Sequence, residues 1–134
     1  MNIAQLRDII TTLLTAQPDL IGSYTLPDGK TIPAVYVVGQ KGVPSEWKVA
    51  GMEATIRQYA TPKSRAGVGV AHALMQWEVM LTQYNPDGKE IADAMDRMIR
   101  RFPDATYQFL QGTDISYERL RVIIPDHQIK RLIR

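Results

Sequence analysis

The chain has 134 residues, of which 45% are apolar and 22% charged, and it carries no cysteine. This composition is that of one globular domain able to bury a core, and it excludes a disordered chain, disulfides, thiolate nucleophiles and thiolate metal sites. The net charge is only +2, no apolar run approaches the roughly 20 residues of a membrane helix, and no signal-peptide pattern opens the chain; the expectation is a soluble protein, intracellular when made, without a membrane partner.

Asn2 is placed to cap a first helix in which Ile3, Leu6, Ile10, Leu13 and Leu14 share a face. Pro18 marks its end or a position just past it. Ser23 to Val38 reads as a hairpin: SYTL, a PDG turn, then KTIPAVYVV. Pro33 cannot donate to a ladder, so the second strand starts there or lies on a sheet edge at that point. Residues 34–38 are apolar and β-branched enough to be central. Gly39 to Gly51 reads as a loop from its Gly, Pro and Ser content. Trp47 interrupts it, and a tryptophan there either folds over the local core or anchors an interface.

Met52 to Thr61 fits a strand or a helix, and its Thr, Ile and Tyr favour the strand. Residues 62–69, with Pro62, Lys63, Ser64, Arg65, Gly67 and Gly69, form a basic tip between two strands. That tip is either a plain hairpin loop or a flexible arm that orders on meeting a partner. Val70 to Tyr84 is a long strand with Ala73, Met75, Trp77, Val79 and Leu81 on one face. His72, Gln76, Glu78 and Thr82 share the other face with Leu74 and Met80, so that side reads as half solvated.

NPDG suits a type I turn. KEIADAMDRMIRRF reads as a helix whose Ile91, Ala94, Met95, Met98, Ile99 and Phe102 form one apolar stripe. Asp93 with Arg97, and Asp96 with Arg100, sit four apart and can pair. Phe102-Pro103 stops the helix, Ala105 to Leu110 is a short strand, and Ile115 to Ile124 is the last strand. In it Leu120, Val122 and Ile124 oppose Tyr117, Arg119 and Arg121. Residues 125–134 form a basic C-terminal segment in which Ile129, Leu132 and Ile133 stand beside Lys130, Arg131 and Arg134. The fold class expected is α+β: an antiparallel or mixed sheet of about four to six strands with two main helices on one side. Residues 1–134 make a single domain.

Chemistry is sparse. The only histidines are His72 and His127, one inside a strand and one after Pro125, which is a poor start for a catalytic or metal site. Glu90, Asp93 and Asp96 read as a solvated, salt-bridged helix face. Gly67-Val68-Gly69 lacks the Lys and Ser/Thr that complete a phosphate loop, and no helix-turn-helix, RNP or zinc-finger pattern occurs. The expectation is a protein that is not an enzyme and needs no cofactor or metal. Large side chains on both faces of residues 70–84, and the apolar stripe of the C-terminal segment, point to assembly.

The helix IAQLRDIITTLL followed by a turn and the strand IPAVYVV resembles the opening of the tail terminator proteins of long-tailed bacteriophages. The strand MQWEVMLTQYNP, the helix IADAMDRMIRRFP and the closing strand SYERLRVII extend the likeness over most of the chain. The resemblance implies a structural virion protein that forms a hexameric ring. Such a ring sits on the finished tail tube, stops its growth, and presents a surface to the neck beneath the capsid. The implied partners are further copies of the chain, the tail tube protein and a neck or head–tail adaptor, with DNA possible in the lumen. Residues 51–69 are longer than a minimal terminator hairpin, and the basic ending has no counterpart in the pattern.

Interface candidates come from side-chain chemistry alone. Lys63, Arg65, Arg119 and Arg121 are suited to charge pairs that set register between subunits. Trp47, Lys130, Arg131 and Leu132 offer an aromatic anchor and an apolar-basic end. Two other readings stand beside the terminator: a different neck or tail-completion adaptor, and a small nucleic-acid-binding module using the basic C-terminal segment, whose affinity would fall steeply with salt.

Overall fold

A computed structural model describes the main chain of residues 2–38, 47–63, 72–84, 90–110 and 118–125, with side chains throughout except at 59–63 and 72–75. Helix α1 (Ile3–Thr15) starts as expected. The Asn2 side chain accepts from the Gln5 N–H and the Gln5 side chain accepts from the Asn2 N–H, both at 2.8 Å, a reciprocal cap of the first turn. Leu6, Ile10 and Leu14 are fully buried, with Ile3 and Leu13 packed beside them.

Strand β1 (Ser23–Thr25) turns through Leu26 to Lys30 into β2 (Thr31–Pro33). Gly29, at φ +91°, closes that turn on the Leu26 carbonyl. The expected second strand of this hairpin is in fact two strands, because the chain bends at Ala34 and enters β3 (Val35–Val37) in another sheet. β3 is an edge strand, not a central one. Pro33 lies on β2, also an edge, where its missing N–H costs no ladder bond. The expected loop before Gly51 holds a further strand, β4 (Lys48–Ala50), which pairs with β1.

Two sheets result. The smaller has the order β2-β1-β4, and the larger has the order β3-β5-β6-β8-β7. The larger comprises β5 (Met52–Lys63), β6 (His72–Gln83), β7 (Thr106–Leu110) and β8 (Glu118–Pro125) beside β3. Only β3 runs parallel to its neighbour, so the sheet is mixed. The α+β class, the strand reading of residues 52–61 and the final strand all hold. The NPDG turn and residues 115–117 lie outside the described residues.

The two sheets meet where Gly22 crosses Gly51. The Gly22 N–H donates to the Met52 carbonyl at 2.7 Å, and its carbonyl accepts from Ala34 at 3.0 Å. A Cβ on Gly22 would stand 2.0 Å from the Ala50 oxygen. Gly51 has φ +82°, the left-handed turn that carries β4 into β5.

Helix α2 (Glu90–Arg101) lies with α1 over one face of the large sheet. Ile91, Ala94 and Met98 meet Leu6, Ile10 and Leu14, and beneath them lie the alternate residues Ala54, Ile56, Trp77, Val79, Leu120 and Val122. Ile99 does not complete the expected stripe. It is rotated about 100° from Met98 and is 41% exposed. Asp96 pairs with Arg100 at 3.0 Å, whereas Arg97 turns from Asp93 to the carbonyls of Leu13, Ala16 and Pro18.

Candidate functional site

Strands β5 and β6 pair without a break from Met52–Gln83 to Lys63–His72. β3 accompanies β5 only from Ala54 to Ile56, and β8 accompanies β6 only as far as Gln76. The pairs from Ala60–Met75 to Lys63–His72 therefore have no third strand beside them among the described residues. At about 3.3 Å per residue this overhang extends about 13 Å past the rest of the sheet. Pro62 and Lys63 of the expected tip are ladder positions, and Lys63 ends the overhang. Arg65 and the rest of the tip lie outside the described residues, as do Lys130, Arg131 and Leu132.

The sheet face away from the helices carries charge. Glu78 sits at its centre and is only 4% exposed. The Arg57 guanidinium holds it as a fork, with Nε 2.9 Å from Oε1 and Nη2 3.2 Å from Oε2. Arg121 Nε reaches Oε2 at 2.7 Å from the other side. Burial alone would raise the Glu78 pKa, but the hydrogen bonds and charges of Arg57 and Arg121 outweigh it and hold the carboxyl below its ordinary 4.5. A carboxylate clamped in its ionised form is a poor proton carrier. It ties β5, β6 and β8 together. Arg121, an expected subunit-contact residue, thus has an internal partner. Arg119 stands on the same face, half-buried and likewise engaged.

Trp47 packs its ring against Tyr24, with centroids 5.2 Å apart and planes at 54°. Tyr24 is buried, and its hydroxyl donates to one oxygen of Glu53 while Tyr84 donates to the other at 3.2 Å. The half-buried Trp47 therefore covers a tyrosine–glutamate–tyrosine cluster beside the corner where the sheets meet. Burial first, and the Glu53 carboxylate second, push the Tyr24 phenol far above its ordinary 10.0.

Arginine capture was the feature missed from sequence. Arg57, Glu78 and Arg121 share one face by alternation, which is legible, but the register that brings them together is not. Arg97 gave no signal beyond its helical spacing. Among the described residues no three His, Cys, Asp or Glu side chains group to hold a metal ion, and no helix is long and apolar enough to cross a membrane. Among the described residues, the arrangement offers paired strand edges and guanidinium–carboxylate ties across the sheet. No family model, no curated protein and no solved structure matches the chain.

Proposed function

We propose that the chain is a ring-forming structural protein that caps a phage tail tube, in the manner of the tail terminators that its element order resembles. The observation that carries the proposal is the β5–β6 overhang. A bare two-stranded ribbon is marginally stable in water, and unpaired edges attract other chains. An overhang kept on a domain of this size is best accounted for by contact with a neighbouring copy. The ring would end tube growth by covering the last tube subunits, and its other side would meet a neck or head–tail adaptor.

The native mass of the purified protein, measured across a range of concentrations and with tail tubes added, tests the reading. A discrete mass near that of a hexamer, or end-capped tubes of fixed length in electron micrographs, is the expected result. A monomer at every concentration that leaves tube growth unchanged would overturn it.

A further inference from the structure

Hydrogen-bond parity identifies which main-chain groups the large sheet offers at its open edges. The Ala54 N–H donates to Ala34 and the Ile56 carbonyl accepts from Val38, so even-numbered residues of β5 turn their main chain away from β6. The Tyr84 N–H donates to the Gly51 carbonyl at 2.9 Å, which puts odd positions of β5 and even positions of β6 in facing, bonded pairs. The register is unbroken. Ala73 and Met75 in the overhang therefore direct N–H and C=O away from β5, on the side that β8 occupies farther along the strand.

The opposite edge of the overhang differs in one atom group. Pro62 is an outward position there, and it has no N–H to give. One edge of the strand pair is blunted, and the other has no strand beside it among the described residues.

The same parity runs on across the sheet. Val79 bonds with Val122 and Leu81 with Leu120, so Arg119, Arg121 and Ile123 turn toward β7, where they face Leu110, Gln108 and Thr106. Tyr107 and Phe109 are left directing their main chain outward from β7, the last strand of the sheet. The Phe109 side chain is 47% exposed at that edge.

We propose that the Ala73–Met75 edge of one copy adds to the Tyr107–Phe109 edge of β7 in the next copy. The inference rests on the ring reading and names its contact. Each edge presents two residues with one N–H and one C=O apiece, so the two sets match, whereas on the other side of the overhang Pro62 lacks one of the N–H groups such a pairing needs. The two patches differ, so the contact is head to tail, the kind that closes into rings. It cannot form within one copy. Phe109 is level with Leu120 and Leu81, whereas Met75 lies beyond Gln76, a separation of about 20 Å along the strands.

The absence of cysteine makes cross-linking a direct test. The double variant Met75→Cys with Phe109→Cys, oxidised after assembly, should give covalent multimers up to the ring mass, and each single variant none above dimer. Phe109→Pro removes the aromatic side chain and an outward N–H but no ladder bond within the copy, so it should lower the native mass to that of a monomer while the circular-dichroism spectrum stays that of the folded chain. Phe109→Ala keeps that N–H and should keep the ring. Should Phe109→Pro fail to fold, the double cysteine variant decides alone. A wild-type ring whose double variant yields no covalent multimers overturns the pairing and leaves the ring reading standing. A wild-type protein that neither oligomerises nor caps tubes overturns both.

Discussion

The Arg97 guanidinium in α2 donates to the Leu13 carbonyl in α1 at 2.9 Å, and the same side chain reaches Ala16 at 3.1 Å and Pro18 at 2.6 Å. The last carbonyls of a helix have no partner within it. A cation from the neighbouring helix supplies one and complements the negative end of the dipole. Arg97 thus ends α1 and fixes how the two helices sit on the sheet.

Replacing Arg97 by alanine should cost about 1.5–3 kcal/mol, the usual range for hydrogen bonds to a charged group. Arg97→Lys should recover only part, because an ammonium cannot fork to separated carbonyls. Urea denaturation of the three proteins measures it. Equal stability of wild type and Arg97→Ala would show that the carbonyls are served as well by water.

Glu78 sets an acid limit on stability. Its carboxyl is held below 4.5 in the folded chain, so the unfolded chain takes up the proton first as pH falls. The contribution is whole above the ordinary value and is lost as pH drops through the lowered one. Glu78→Gln leaves Arg57 and Arg121 facing a neutral amide. With those arginine side chains 51% and 30% exposed, water softens the loss to about 2–3 kcal/mol at pH 7, less than a fully buried pair would show. As pH falls below 4.5 and through the lowered value the two proteins should converge, and denaturant titrations at a series of pH values would show whether they do.

How much of this was legible depends on what each feature needs. Asn2 as a cap, the alternation of β8 and the apolar spacing of Ile91, Ala94 and Met98 are local patterns, and each appears where the spacing placed it. The split at Ala34 was hidden because residues 31–37 are continuously suited to extended backbone; Ala34 still donates to Gly22 in line with the hairpin, and it is its carbonyl, accepting from Ala54 far along the chain, that hands the chain to the other sheet. The choice of Arg97 between Asp93 and the end of α1 was hidden for the same reason: a helix spacing offers the acid, and tertiary packing offers the carbonyls. Of the expected contact residues, Trp47 and Arg121 have partners inside the domain. The overhang was legible only in part, since the length of β5 and β6 could be read from their patterns but the shortness of their neighbours could not.

The two glycines at the sheet corner should differ in their response to alanine. At Gly22 the added methyl would meet the Ala50 oxygen at 2.0 Å and the Met52 nitrogen at 2.7 Å, both main-chain atoms that cannot step aside. Parting the sheets there should cost about 3 kcal/mol or more, at the severe end for one substitution. At Gly51 the penalty is the left-handed backbone, about 1–2 kcal/mol for a residue with a Cβ, with a closer approach of 3.1 Å to the Gly22 Cα. Thermal melts should rank Gly22→Ala below Gly51→Ala, and the reverse order would contradict the crossing.

The alkaline limit should lie with the buried phenols. Burial pushes the Tyr107 hydroxyl up from 10.0 to about 12, and Tyr24 rises farther. A raised folded-state pKa means that the unfolded chain gives up the proton first. The contribution of Tyr107 is whole below pH 10 and is lost as pH climbs from 10 through about 12. Its hydroxyl also donates to the Phe102 carbonyl at 2.9 Å, bracing the turn between α2 and β7. Tyr107→Phe should therefore be less stable at pH 7 by about 1 kcal/mol, for the lost hydrogen bond. Above pH 10 it should lose stability more gradually than wild type, because one ionising group has been removed. The two stability curves then draw together with rising pH. Urea midpoints at pH 7, 10 and 11 follow the approach, and parallel curves would show that Tyr107 ionises as freely in the folded chain as in the unfolded one.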